Sequence, residues 1–249
     1  MPRLPCAPRK TASGASLAIS RATASTLSQT RKDAVTSLVP EPALKNFLEE
    51  ATARYQAALK NSTDAVAYLR SRGLSEASAA SFRLGYVESP LPGHEVARGM
   101  LAVPYLTRAG VVTVRFRRLG DGDGPKYRSV PGDPPRIFNA SALLVPSDHI
   151  AICEGEFDAI AANEAGLPAV GIAGVSAWKP YFARCFKGYR AVYILADQDD
   201  KGQGLEFAEK VAEQIKNARI SPMPTGHDVN SYVLENGTDA LLERLEIKR

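Results

Sequence analysis

Two acidic clusters carry the chemistry of this chain, and each follows directly on an apolar run. Glu154-Gly155-Glu156 comes after His149-Ile-Ala-Ile-Cys153, and Asp197-Gln198-Asp199-Asp200 comes after Ala191-Val-Tyr-Ile-Leu-Ala196. Short apolar runs of this kind suit strands buried in a parallel sheet, where ligands collect at the carboxyl ends of the strands. Taken singly, Glu154 suits an acid at a helix amino terminus, facing the positive end of the dipole, and Asp197-x-Asp199 suits a solvated turn. Taken together, past two strands separated by one strand–helix unit, they suit a site for a hard divalent cation. Crowded carboxylates repel unless Mg2+ or Mn2+ neutralises them, and those ions take oxygen ligands together with substrate phosphates. Gly155 is expected to let the backbone turn sharply, so that the Glu154 carboxylate faces out over the sheet.

Positioning these acids requires an α/β frame, and the pattern from His149 onward supplies one. A helix over Glu156–Ala165 stops at Gly166. A strand follows over Pro168–Ile172, then a helix through Trp178 and Phe182, the strand Ala191–Ala196, and a helix over Gly204–Lys216. Strands alternating with helices of about ten residues predict a parallel sheet flanked by helices.

The preceding half is mixed α+β and basic. Leu44, Phe47, Leu48, Ala51, Tyr55 and Leu59 recur at helical spacing from Pro42. A second helix is capped by Ser62 or Thr63, with Val66, Tyr68 and Leu69 as apolar contacts and Gly73 as its stop, and a third starts at Ser75. Leu101–Tyr105 reads as a strand. Val112, Val114 and Phe116 alternate with Thr113, Arg115 and Arg117, which makes a half-buried strand with a basic face. Between Arg98 and Arg136 there are eight basic residues against three acids. Over the whole chain the formal charge is +4, with the excess of Lys and Arg before His149 and an excess of acids after it. A basic half feeding an acidic half suits an enzyme that holds a polyanion on one side and metal ions on the other.

Composition narrows the class. An apolar share of 45% and a charged share of 23% are those of a soluble globular protein, and no apolar run approaches the roughly 18 to 20 residues of a membrane helix. Cys6, Cys153 and Cys185 form no C-x-x-C pair, so neither a zinc site nor a disulfide framework is expected, and Cys153 reads as a small buried hydrophobe. Residues 1–38, rich in Ser, Thr, Ala and Arg with Asp33 as the first acid, suit a disordered tail. Organelle transit peptides share that make-up, so import is the alternative to a cytoplasmic location.

Glu154-Gly-x-x-Asp158-Ala, the next apolar strand, Gly171-x-x-Gly174 and Asp197-x-Asp199 together resemble the Toprim domain of bacterial-type primases, topoisomerases and some nucleases. The resemblance implies Glu154 as general acid/base or metal ligand and Asp197 and Asp199 as metal ligands. Asp158, about one helical turn past Glu154, is a further ligand or a helix-face acid. Asp228 in Gly226-His-Asp-Val-Asn230 resembles the acidic element that follows the Toprim core, with Asn230 where a second acid often stands.

Upstream, Tyr55-Gln-Ala-Ala-Leu59, Ala67-Tyr-Leu-Arg-Ser-Arg-Gly-Leu-Ser75, Phe82-Arg-Leu-Gly-Tyr86, Val103-Pro-Tyr, Pro125-Lys-Tyr127 and Ile137-Phe-Asn139 follow in the order of DnaG-type primases, so that the resemblance covers roughly 45–245. In that family the basic strand and the Pro-Lys-Tyr element line the groove for template and nucleotide phosphates. Lys126, Tyr127 and either Arg117 or Arg118 match those positions, with Arg115 on the same strand. The family's zinc ribbon, a G-x-x-x-x-G-K-[ST] motor motif and a helicase-docking domain have no counterpart in the sequence.

The resemblance therefore implies a tail over 1–38, a basic amino-terminal subdomain of the primase core over 39–147, and a Toprim catalytic domain over 148–249. It implies RNA primer synthesis on single-stranded DNA from ribonucleoside triphosphates with Mg2+ or Mn2+, in a bacterial or phage-infected cell. A replicative helicase and a zinc-bearing protein are the expected partners in trans. A Toprim nuclease and a non-catalytic DNA-binding accessory protein are the alternative readings.

Overall fold

The chain alternates local helices with two sheets, and the computed structural model describes residues 40–120, 122–198 and 202–247. The expected tail over 1–38 lies outside the described residues, as does Asp199. Residues Pro42–Arg249 form one compact unit.

Three helices open the unit: α1 (Pro42–Leu59), α2 (Thr63–Ser71) and α3 (Glu76–Ser81). The Ser62 and Ser75 side chains accept from the Ala65 and Ser78 amides and cap α2 and α3, as their sequence positions predict. Short β1 (Gly85–Tyr86), β2 (Leu101–Thr107), β3 (Gly110–Arg117) and β4 (Tyr127–Arg128) then form an antiparallel sheet in that order. Strand alternation decides its two faces. Ala102, Val114 and Phe116 pack with Leu48, Ala51 and Tyr55 of α1. Leu101, Val103 and Tyr105 face the other way and join the core that contains Phe157 and Ile160. In the β2–β3 register Val103 pairs with Arg115 and Leu101 with Arg117. The basic positions of β3 thus lie on the face turned toward the second sheet, and Arg117 is buried.

The second sheet has the order β5-β7-β6-β8-β9, built from β5 (Ile137–Phe138), β6 (His149–Cys153), β7 (Ala169–Ile172), β8 (Ala191–Ala196) and β9 (Ala218–Pro222). Strands β7, β6, β8 and β9 run parallel, and β5 pairs antiparallel to β7 at the edge. The apolar runs of β6 and β8 are buried on both faces. Ala151, Cys153, Tyr193 and Leu195 face one core, and Ile150, Ile152, Val192 and Ile194 face the other. Helix α4 (Glu156–Glu164) follows β6, α5 (Gln203–Ala212) follows β8, and α6 (Val229–Asn236) and α7 (Thr238–Arg244) close the described chain.

One expectation is corrected. The segment through Trp178 and Phe182 is two 3-10 pieces, Val175–Ala177 and Pro180–Phe186, in place of an α-helix. Pro180 drives Lys179 into extended backbone, which interrupts any helix begun earlier. Trp178, Phe182 and Phe186 still reach the core. Among the described residues, no helix is long and apolar enough to cross a membrane.

Gly204 sets the distance between α5 and the strand that carries Asp197. A Cβ there would stand 2.2 Å from the Asp197 carbonyl oxygen and 2.8 Å from its amide nitrogen, both backbone atoms that cannot rotate away. Alanine improves helix propensity by about 1 kcal/mol, but overpacking costs about 1–3 kcal/mol. Gly204→Ala is therefore expected to be destabilising by about 1 kcal/mol or more in urea unfolding, despite the better helix former.

Candidate active site

The carboxyl ends of β6 and β8 deliver Glu154 and Asp197 to the same end of the sheet. Backbone contacts hold the surrounding loops in register. The Gly174 amide donates to the Glu154 carbonyl at 3.3 Å, the Gln198 amide to the His227 carbonyl at 3.2 Å, and the Gly226 amide to the Gln198 carbonyl at 3.1 Å. The loops after β6 and β7 are thereby joined, and the loop after β8 is joined to the one that starts α6.

Gly155 is needed for a reason other than the expected sharp turn. Its backbone is extended (φ −119°, ψ 162°), a conformation any residue adopts. What it provides is space, because a Cβ would stand 2.3 Å from Asp158 Oδ2. Asp158 is buried at the first turn of α4 and accepts from the Asn230 amide at 3.0 Å. Burial, followed by the negative charge of Asp228, pushes its carboxyl up to about 6. Asp228 goes the opposite way. Burial favours its neutral form, but the Ser231 amide and hydroxyl and the Arg72 guanidinium outweigh that and hold it below the ordinary range. Asp228 is also the N-cap of α6, accepting from Ser231 N at 2.6 Å, and pairs with Arg72 at 3.1 Å. Asn230, in turn, donates from Nδ2 to the Arg72 carbonyl at 2.7 Å.

The opposite wall comes from the first sheet. Arg115 forms an ion pair with Glu156, which is only 2% exposed, and Tyr105 donates to the same carboxylate oxygen at 2.8 Å. Arg115 also donates from Nε to Ser129 Oγ at 3.1 Å, and its guanidinium lies 4.8 Å from the Tyr127 ring centre. Arg117 donates to the hydroxyls of Tyr68 (3.0 Å) and Tyr127 and lies 4.2 Å over the Phe157 ring. Two arginines are thus held in place by a buried acid and by aromatic faces. Burial disfavours their charge, yet Glu156 beside Arg115 and the two tyrosines beside Arg117 hold both guanidiniums firmly protonated.

These residues line a pocket of about 280 Å3 that brings Glu154, Glu156, Asp158, Asp197 and Asp228 together with Arg72, Arg115, Arg117, Lys126 and Tyr127. Of the two arginines that the sequence left open, Arg117 lines the pocket. Arg118 donates to the carbonyls of Gly120 (3.4 Å) and Gly124 (2.5 Å) within its own turn. Arg72 was not foreseen as part of the site, nor was the pairing of Glu156 with Arg115, although Arg115 itself was expected there. Among the described residues, no three His, Cys, Asp or Glu side chains already stand in a metal-holding group, and Asp199 is outside them. The donor set nevertheless fits a hard cation. It includes several carboxylate oxygens, the ligands that such an ion takes.

Residues 149–239 match the Toprim domain model. The gene 57 protein of Mycobacterium phage D29 is 52% identical over 153 residues, spanning 59% of this chain and 99% of that protein. The DNA primase of Pseudomonas putida is 26% identical over 267 aligned positions, spanning 87% of this chain and 40% of that protein. A DNA primase domain from Pseudomonas aeruginosa has the same fold, with a TM-score of 0.69 and 25% identity over 82% of this chain and 78% of that one. The chain carries a Toprim domain and has the fold of a DnaG-type primase catalytic core. It spans about two-fifths of the Pseudomonas putida primase and nearly all of the phage protein. Within this DnaG-type core the helical and antiparallel half supplies the basic wall and the Toprim half the acidic one, so the site lies where the two meet.

Proposed function

We propose that this chain synthesises short RNA primers on single-stranded DNA by metal-dependent nucleotidyl transfer. The observation that carries the reading is a single pocket lined by five carboxylates, three arginines and a lysine, in a chain with the fold of a DnaG-type primase core. A Toprim domain over 148–249 working with a basic subdomain over 39–147 accounts for that division of labour.

Glu154 and Asp197, with Asp199, would hold Mg2+ or Mn2+, and Asp158 and Asp228 stand within the same pocket to complete or tune the donor set. A bound divalent ion would supply Lewis-acid stabilisation of the charge that develops during phosphoryl transfer. Arg117 and Lys126 hold triphosphate oxygens, Arg117 through a planar fork and Lys126 as a mobile point charge on an exposed stem. Arg115 is fixed by Glu156 and Ser129, so it offers its charge without the entropy cost of being ordered on binding. Template phosphates along this wall give binding that weakens with salt. A replicative helicase and a zinc-bearing protein are the partners that would bring the chain to its template and help it start.

The deciding experiment incubates the purified chain with single-stranded DNA, labelled ribonucleoside triphosphates and Mg2+ or Mn2+. Labelled primers that vanish on chelation are the expected product. Shortened DNA with no labelled product would establish a nuclease, and binding with neither product would establish an accessory protein.

A further inference from the structure

The half of the chain after His149 carries an excess of acids, yet Lys179-Pro-Tyr-Phe-Ala-Arg184-Cys-Phe-Lys187-Gly-Tyr-Arg190 contains four basic residues and no acid. Four aromatic residues are interleaved with them. Phe182 and Phe186 are buried and anchor the segment, whereas Tyr181 is 48% exposed and Tyr189 is half-buried. The segment runs directly into the start of β8, so it lies at the amino ends of the parallel strands. That is the end opposite Glu154 and Asp197.

A pocket of about 620 Å3 opens there. Arg184, Lys187 and Lys216 line it together with Phe186, Tyr189 and Asn217, and no Asp or Glu is among its lining residues. Lys216 and Asn217 come from the turn between α5 and β9, on the far side of the pocket from the basic segment. Asn217 donates from Nδ2 to the Tyr189 carbonyl, which ties the two sides together. Three cations beside the half-buried Tyr189 ring match a ligand that carries both phosphates and flat bases. This is the arrangement by which proteins hold single-stranded nucleic acid without reading its sequence. A small inorganic anion or an acidic peptide would use the cations but not the Tyr189 ring.

We infer that this pocket is a second binding site for single-stranded nucleic acid, in which Arg184, Lys187 and Lys216 hold phosphates and the Tyr189 ring stacks a base. The inference rests on the reading that the chain works on single-stranded DNA, and it adds a contact on the opposite end of the sheet. The six residues of β8 put the two ends about 20 Å apart at about 3.3 Å per residue. A strand held at both ends would stay on the protein when its grip in the catalytic pocket loosens between additions.

The test measures binding of the full chain to two single-stranded oligonucleotides across a salt series, by fluorescence anisotropy. One oligonucleotide fills only the catalytic groove, and the other is long enough to reach around the sheet. The triple variant R184Q/K187Q/K216Q is expected to lower the long oligonucleotide's salt slope by about 2, at about 0.7 per lost phosphate contact. Its binding of the short oligonucleotide and its single-nucleotide extension of a short primed template should match the parent. Lys126→Ala should weaken both oligonucleotides. Should the triple variant melt early, the three single variants, each worth about 0.7 of slope, carry the same comparison. A long-oligonucleotide slope unchanged by the pocket variants but lowered by Lys126→Ala would overturn this inference and leave the primase reading standing. Failure of the parent to bind either oligonucleotide would overturn both.

Discussion

Asp197→Asn is expected to reduce primer synthesis by about a thousandfold or more, equivalent to about 4 kcal/mol of lost transition-state stabilisation. The side chain leaves the carboxyl end of β8 and is half-buried in the wall that also carries Glu154, Asp158 and Asp228. Asparagine keeps its size and one of its oxygens, so packing around it should persist. What is lost is a negative charge that a hard cation needs and that the chain otherwise has to hold against three neighbouring acids. The substitution should therefore separate stability from activity. In chelator, with no divalent ion to offset the repulsion among the acids, the variant should unfold at the same temperature as the parent or slightly above it. In saturating Mg2+ the parent should gain stability as a ligand-bound protein does, and the variant should gain much less. Near-normal synthesis at ordinary Mg2+ would remove Asp197 from the site. A variant that melts far below the parent in chelator would show that the residue supports the fold instead.

The parts legible in the sequence are those that a short window determines. β6 and β8 announce themselves because strands buried on both faces read as nearly continuous apolar runs, and the acids that follow them inherit that clarity. The caps at Ser62 and Ser75 are equally local. β9 is half-exposed at the sheet edge and contains Arg219 and Pro222, so no apolar run marks it. β1, β4 and β5 are two residues long, too short for any period to show. Spacing misled at Trp178, Phe182 and Phe186, which repeat every four residues as a helix face would, while Pro180 breaks the hydrogen-bond ladder such a helix needs. The opposing wall of the site was harder still, because its contacts join residues far apart in the chain. Arg72 meets Asp228 across 156 positions, and Arg115 meets Glu156 across 41. Only the choice between Arg117 and Arg118 had a local signal. Arg117 keeps the two-residue period of Thr113 and Arg115, and Arg118 falls on the opposite parity just beyond the end of β3.

Glu156→Ala is expected to be the most destabilising single change in the site, costing about 3 kcal/mol or more. Glu156 is 2% exposed, and its carboxylate answers two donors at once, the Arg115 guanidinium and the Tyr105 hydroxyl. Removing it leaves a largely buried positive charge without its counter-ion, and the hydroxyl of a 2% exposed tyrosine without its acceptor. Against a typical domain stability of about 5–15 kcal/mol, that is enough to lower the unfolding midpoint by several degrees. Glu156→Gln should cost less, because the amide oxygen still accepts one bond. The cycle is completed by Arg115→Met. With both partners gone no charge is stranded, so Arg115→Met/Glu156→Ala should recover much of the stability lost in Glu156→Ala alone. Activity should not return with it, since the double variant also lacks the guanidinium that lines the pocket. Urea unfolding of the four proteins, read beside their extension rates on a primed template, separates the two effects. A double variant no more stable than Glu156→Ala would mean that Glu156 acts through its packing in α4. A double variant that regained both stability and rate would mean that Arg115 only fastens the two sheets together and takes no part in holding substrate.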